Sequence, residues 1–352
     1  DRLPKTTQEV YAREQVILHE QQSTEIVVQG LRIGDIAIAT TPNETYALTG
    51  LKIKLNSPLE KTMVIELANG GDGYIPPPEQ HLLGGYNTWP ARSAGLEVMA
   101  EPKIAETALR LLEQVVGSPR RPYRQSKGAA VEKILKAKPI AYWRMDELAG
   151  PRAIDSTQHH SDAIYEPGVA FFLEGPRSKE YCFVGESNRS AHFAGGRLSA
   201  RVPELGENYT ISLWFWNGMP IDARPVSGWM FSRDRNHGLT SWGDHLGVGG
   251  ADNHPGKLIF QHGRNQSAAG TTDIARWTWN HVALVRTDKT VTVYLNGTQE
   301  FQTTVDADVP PQFEELFFGG RSDNDSNWEG RLDEIAVFDR AFSADDISGL
   351  LP

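Results

Sequence analysis

The chain has 352 residues, 39% of them hydrophobic, and a formal net charge of −10. That length exceeds what one hydrophobic core ordinarily serves and predicts two domains. No stretch approaches the ~20 apolar residues of a membrane-spanning helix, and the acidic balance argues against nucleic acid, whose phosphates need a concentrated basic face.

The chain opens on Asp1 rather than Met, in DRLPKTTQEVYAREQVILHEQQ, a stretch that does not read as a signal peptide. It reads as a processed product or a piece of a longer protein. This opening stretch predicts an amphipathic helix to about Gln22, capped by Thr6 or Thr7, with Val10, Ala12, Val16 and Ile17 toward one side. TEIVVQGLRIGDIAIATTP then predicts two strands either side of Ile33-Gly34-Asp35. TYALTGLKIKLNS predicts a helix. TMVIELANG predicts a buried strand that stops at Asn69-Gly70-Gly71. A loop containing Pro76-Pro77-Pro78 follows, and a helix from Glu101 to Val116 closes the segment. Asp72 reads as a turn residue. The order of elements is that of an α/β segment over residues 1–116.

Residues 117–138 read as a linker rich in Pro, Gly, Ser and Arg. Its Arg120, Arg121, Arg124 and Lys127 form the one basic cluster, read as a solvated connector. From 139 to 352 the pattern changes to short strands broken by turns rich in Gly, Asn and Asp. They include IAYWRMD, SAHFAG, YTISLWFWN, WMFSR, KLIFQHG, WNHVALVRT, TVTVYLNG, EELFFGG and GRLDEIAVFDR. YTISLWFW and TVTVYLN alternate as half-buried antiparallel strands require. Ile211, Leu213, Phe215, Val293, Leu295, Ile335 and Val337 are expected between two sheets, and Asn296-Gly297 is a hairpin-turn signal. Trp277 and Trp279 read as core or rim packing. A short helix, SADDISGLL, ends the chain with Ser343 as its cap. The single cysteine, Cys182, excludes an intrachain disulfide and reads as an inert buried thiol.

The ordered set AYWRMDE, AIDST, YTISLWFW, WNHVALVR with VTVYLNG, and GRLDEIAVFDRAFSADDI resembles the LamG-like, concanavalin A-type lectin and glucanase superfamily. The resemblance covers nearly all of 139–352 and implies an all-β jelly-roll sandwich of two antiparallel sheets. Glucanases of this fold place two strand carboxylates ~5 Å apart. Asp333 and Glu334 are adjacent, so regular strand alternation sends them to opposite faces. The domain therefore reads as non-catalytic. Trp242, Asp244, His245, Asn253, His254 and Trp328 mix aromatic and polar groups, as sugar sites do, and are the candidates for a ligand-binding rim; the plain alternative is loop residues of a spacer. The family also implies a structural calcium, for which Asp155 and Asp333 are candidates, with ordinary turn carboxylates as the alternative.

Residues 31–95 resemble the neutral/alkaline ceramidase family near the end of its catalytic domain. The residues concerned are the turn Pro42-Asn43-Glu44-Thr45, the loop Asn69-Gly70-Gly71-Asp72-Gly73-Tyr74, the pair Glu79-Gln80 after Pro78, and Tyr86 twelve positions after Tyr74. The resemblance implies Glu44 and Tyr74 as zinc ligands, Tyr86 beside the substrate's polar head or developing oxyanion, and Asn69 shaping the loop. The Pro76–Pro78 run and Gly84-Gly85 depart from the family pattern and put substrate choice in question. Read without the family, Glu44 is a carboxylate at a helix start, where it is favoured whether or not a metal binds. Tyr74 lies in a Gly-rich loop after a strand, a usual place for a site. A catalytic zinc needs about three protein ligands, and the family supplies two histidines and a serine from regions upstream. His19 and His81 fit no such motif. The chain is therefore expected to carry half a site, completed by an upstream catalytic region or another chain, and to be inactive alone. A non-catalytic carbohydrate- or protein-binding protein is the alternative. A glycoside hydrolase is disfavoured by the missing carboxylate pair. A LamG-type module fits a secreted, periplasmic or cell-surface location.

Overall fold

The structure, a computed structural model, describes residues 2–71 and 73–352. Asp1 and the expected turn at Asp72 lie outside the described residues, as does the side chain of Asn253. The chain divides into two compact units between Arg124 and Gln125.

The first unit runs α1 (Thr7–Gln21), β1 (Gln29–Ile33), β2 (Ile36–Thr40), β3 (Glu44–Thr45), α2 (Ala47–Asn56), β4 (Thr62–Ile65), β5 (Tyr74–Ile75), α3 (Pro78–Leu83), a 3-10 turn (Tyr86–Thr88) and α4 (Ala100–Val116). Thr6 caps α1 by accepting from the Glu9 amide at 3.3 Å. None of α1's residues is buried, contrary to the amphipathic expectation. It is held instead by the Tyr11 ring edge-on to Trp89 at 5.1 Å and by Glu14 clasping Arg92 at 2.7 Å.

β1 and β2 form the expected hairpin, but Ile33 pairs with Ile36, so the turn itself is Gly34-Asp35. β2 pairs with β4 in parallel through the α2 crossover. Ala37 and Ala39 bury one sheet face against Ile53, Ala105, Ala108, Leu109 and Leu112. The opposite face leaves Leu31, Ile33, Met63 and Ile65 exposed. The strand expected to be buried, β4, is thus an edge strand covered on one side only, alternating half-buried and exposed residues.

The second unit contains α5 (Ala129–Lys136), β6 (Ala141–Trp143), β7 (Arg152–Ala153), β8 (Ala163–Tyr165), β9 (Val169–Glu174), α6 (Ser178–Tyr181), β10 (Arg189–Ala194), β11 (Leu198–Arg201) and β12 (Tyr209–Asn217). It continues with β13 (Val226–Arg233), β14 (Asp244–Gly250), β15 (Asn253–His262), β16 (Gln266–Ala269), β17 (Trp279–Thr287), β18 (Thr290–Leu295), β19 (Thr298–Thr304), β20 (Glu315–Phe318), β21 (Glu329–Phe338) and α7 (Ala344–Leu350). Two eight-stranded antiparallel sheets form the sandwich. One is ordered β19-β18-β17-β12-β21-β10-β9 with β6 beside β21; the other is β16-β15-β14-β13-β20-β11-β8-β7. The residues expected between the sheets, from Ile211 to Val337, are all buried, and Tyr209 and Trp143 of the first sheet meet Phe231 and Phe318 of the second. Asn296 and Gly297 both have positive φ, as a primed hairpin turn demands.

Two expectations change here. The linker is shortened, because 125–138 belong to the sandwich unit and contain α5. Ala130, Val131 and Ile134 of α5, Tyr181 of α6, and Ile347 and Leu350 of α7 cover the outer face of the first sheet over Trp214, Ala283, Ala336 and Phe338. For the same reason β12 is buried on both faces over most of its length rather than half-buried.

Candidate functional site

In the first unit, Gly73 at φ +86 lets the chain pass so close to Ser93 that a Cβ there would lie 2.1 Å from its carbonyl oxygen. The next amide, Tyr74, donates to that oxygen at 2.8 Å, and the Glu44 amide donates to the Gly73 carbonyl at 3.0 Å. These bonds set β3 beside β5 in parallel, with Glu44 and Tyr74 as direct partners. Tyr86 reaches back from the 3-10 turn. Its hydroxyl donates to that of Tyr74 at 3.2 Å, and the rings meet edge to face at 5.3 Å. The Tyr74 phenol is pushed up to about 12 by its hydrogen bond with Tyr86, by partial burial and by the Glu44 charge. Glu44 and Tyr86 are exposed. The three residues singled out in the sequence therefore stand together at the surface.

Two further residues join them. Tyr46 accepts a hydrogen bond from the Asn87 amide nitrogen, and desolvation raises its phenol above the ordinary value. The available signals were the i, i+2 spacing of Tyr46 from Glu44 in extended chain and the contact of Asn87 with Tyr86 in sequence. Asn69 sits at φ +64 and donates to Gln29 Oε1 at 2.7 Å, bracing the loop.

A zinc ion takes about three protein ligands, with nitrogen and sulfur prominent. Glu44 and Tyr74 offer two adjacent oxygen donors. Among the described residues no group of three or more His, Cys, Asp or Glu side chains could hold a metal. His19 lies in the last turn of α1 and His81 in that of α3. Among the described residues no such third ligand joins Glu44 and Tyr74.

In the sandwich, the candidates for a ligand-binding rim differ in burial. Asp244 and His245 lie on the Gly-rich strand β14, which reads as loop in sequence, and both are buried, as is Trp328. Asp244 accepts from Arg286 Nη1 at 2.7 and 2.8 Å and from the Tyr209 hydroxyl at 2.6 Å, and lies 2.7 Å from His262 Nδ1. Burial works against this carboxylate, but His262 and Arg286 outweigh it and hold it below its ordinary value. His245 is 2.8 Å from Ser232 Oγ and is pushed down to about 3 by burial. Trp328 packs edge-on against Phe215 at 6.0 Å. Of this group, Trp242 and His254 are exposed.

The calcium candidates are both buried. Asp155 accepts from the Tyr142, Thr157 and Ser161 amides and the Thr157 hydroxyl, between 2.6 and 3.0 Å, so protein donors already engage both its oxygens. Asp333 accepts from Asn188 Nδ2 at 2.7 Å.

The opposite-face expectation for Asp333 and Glu334 is overturned. β21 carries an extra residue against β12 between the pairs Ser212–Ala336 and Trp214–Asp333, with Glu334 at φ +49. Such a bulge breaks strand alternation. Asp333 shares the face of Trp214, and Glu334 bonds the Tyr142 hydroxyl and Arg144 on that same outer face. Burial pushes Glu334 up to about 7, with Arg144 and Tyr142 pulling the other way, and raises Asp333 well above the ordinary range.

Beyond the helical cover, the outer face opens into a pocket of about 360 Å³ lined by Glu174, Arg177, Trp214, Trp216, Trp279 and Arg331, with Gly175 and Pro176. Trp216 pairs across strands with Trp279 on one side and Arg331 on the other, so the three stand abreast. Nothing in the sequence pattern joins these residues, which come from β12, β17 and β21.

Residues 194–348 match the family model described as the concanavalin A-like lectin/glucanases superfamily and form a domain of that class. No curated protein matches the chain. Solved structures with similarity include domain 4 of AbnA, a GH43 extracellular arabinanase from Geobacillus stearothermophilus, in complex with arabinotriose. It is 19% identical, with TM-score 0.45, over 65% of this chain and 100% of that one. The binding domain of Paraclostridial Mosquitocidal Protein 1 is 14% identical, with TM-score 0.45, over 61% of this chain and 52% of that one. The receptor binding domain of botulinum neurotoxin C/D mosaic serotype is 11% identical, with TM-score 0.43, over 60% of this chain and 50% of that one. Among the described residues no helix is long and apolar enough to cross a membrane.

Proposed function

We propose that residues 1–116 are the C-terminal part of a ceramidase-like, zinc-dependent amidohydrolase and that the concanavalin A-like sandwich is its accessory binding domain. One observation carries this reading: Glu44, Tyr74 and Tyr86, from three separate elements, meet as a strand-paired carboxylate and phenol with a second phenol bonded to the first. On this reading Glu44 and Tyr74 hold zinc, and the remaining ligands come from an upstream catalytic region or another chain. Bound zinc would polarise the amide carbonyl and acidify a water. Tyr86, exposed and with its hydroxyl oxygen free to accept, would face the polar head of the substrate. A secreted, periplasmic or surface location belongs to the same reading.

The test is zinc content, measured by atomic emission on the polypeptide in its full genomic length, wild type against Glu44→Ala. Loss of zinc on substitution supports the assignment, and unchanged content overturns it. The second reading, a non-catalytic carbohydrate-binding protein, is favoured by the open Trp216, Trp279 and Arg331 pocket. On that reading the full-length protein hydrolyses no N-acyl amide. A structural calcium at Asp155 and Asp333 remains a further proposal, tested by the melting temperature with and without chelator: no change removes it.

A further inference from the structure

We infer that the pocket at the open end of the first sheet is a saccharide-binding site that takes a pyranose ring against Trp279 and Trp216 and bonds its hydroxyls through Arg331. The inference rests on reading the sandwich as a carbohydrate-binding domain, and it assigns the site to the sheet face rather than to the rim around Trp242.

The face is divided in two. Over Trp214 and inward it is sealed by α5, α6 and α7, and Trp214 itself is fixed by donating from its indole nitrogen to the Tyr181 hydroxyl at 2.7 Å. One step further along β12 the cover stops, leaving Trp216 and Trp279 half-buried. Large indole surfaces left half in water are what a sugar's C–H face covers well, since the apolar body gains burial while the ring hydroxyls stay at the polar edge.

The polar part of the site is pre-set. The Arg331 guanidinium stacks over the Trp216 ring at 4.8 Å and donates from Nη1 to the Glu174 carbonyl at 2.8 Å. Arg331 itself lines the pocket and is half-buried, which puts its guanidinium within reach of a ligand hydroxyl. The far wall, Glu174 to Arg177, is held close because Gly175 has no side chain: a Cβ there would lie 2.6 Å from Asp333 Oδ2 and 2.9 Å from Asn188 Nδ2. The volume of about 360 Å³ falls at the small end of the range of small-ligand sites.

The experiment is affinity gel electrophoresis of the intact chain through gels containing soluble β-glucan, xylan, arabinan, galactan or mannan, with circular dichroism confirming each variant's fold. Retardation by at least one polysaccharide, weakened tenfold or more in Trp279→Ala and in Arg331→Met, supports the site. Retardation unchanged in both folded variants overturns it while leaving carbohydrate binding intact, and loss in Trp242→Ala instead moves the site to the rim. No retardation of the wild type in any gel overturns the site and the carbohydrate reading together. Should Arg331→Met fail to fold, the half-exposed Trp279→Ala and a Trp279→Phe variant that restores part of the retardation carry the test.

Discussion

Glu44 and Tyr74 are direct partners in a parallel pair only two residues long, and that pair exists because Gly73 lies against the Ser93 carbonyl. A minimal pair of this kind contributes little sheet stability. Its consequence is to place a carboxylate beside a phenol, with the Tyr86 hydroxyl closing the group.

Gly73→Ala is expected to break this arrangement. The residue has φ +86 and no room for a Cβ, so backbone strain and the clash together cost about 1–3 kcal/mol. Thermal unfolding should show the loss, and nuclear Overhauser contacts between the Tyr74 and Tyr86 rings should disappear.

Tyr74 is expected to titrate late. Its hydroxyl is pushed up to about 12 by Tyr86, partial burial and the negative Glu44. Glu44→Gln removes the charge that opposes the phenolate, so the Tyr74 pKa should fall. Carbon-13 NMR of the labelled Tyr74 phenol carbon follows it directly; an unchanged titration would show that Glu44 and Tyr74 do not interact.

Glu334 gives a pH dependence of stability. Its folded-state pKa of about 7 lies above the ordinary 4.5 because burial disfavours the carboxylate. The folded state therefore binds more protons than the unfolded state between those values. Stability from this group is fully present below about 4.5 and is lost as the pH rises through about 7. Wild type relative to Glu334→Gln should lose melting temperature between pH 5 and pH 8. The opposite slope would mean that the Arg144 ion pair dominates.

Asp244→Ala should unfold the sandwich more readily than any surface change. It strips the partner from Arg286, which lies fully buried between the sheets, and from His262 and Tyr209. Breaking a buried pair from one side costs about 3–5 kcal/mol, read as a shift in the denaturant midpoint. A cost below 1 kcal/mol would place the network at a solvated surface.

What the sequence determined by itself was whatever depends on short-range pattern. Period-two alternation marked the sandwich strands, the Asn296-Gly297 turn marked a hairpin, and Ser343 marked the cap of α7. The grouping of Glu44, Tyr74 and Tyr86 came from the family resemblance of residues 31–95 and not from local pattern. The tertiary structure decided what those patterns face. β14 is a central strand although DHLGVGG reads as a loop, since glycine there permits close passage: a Cβ on Gly247 would lie 2.4 Å from the Gly228 carbonyl oxygen. A single extra residue on β21 turned Asp333 and Glu334 to one face, a register effect set by the partner strand β12 and invisible along β21 alone. Trp216, Trp279 and Arg331 lie far apart in sequence and become neighbours only through hydrogen-bonded strand order. Local sequence carries the periods of its own backbone; which side chains meet is fixed by pairings whose loop entropy and burial are settled only when the whole sheet closes.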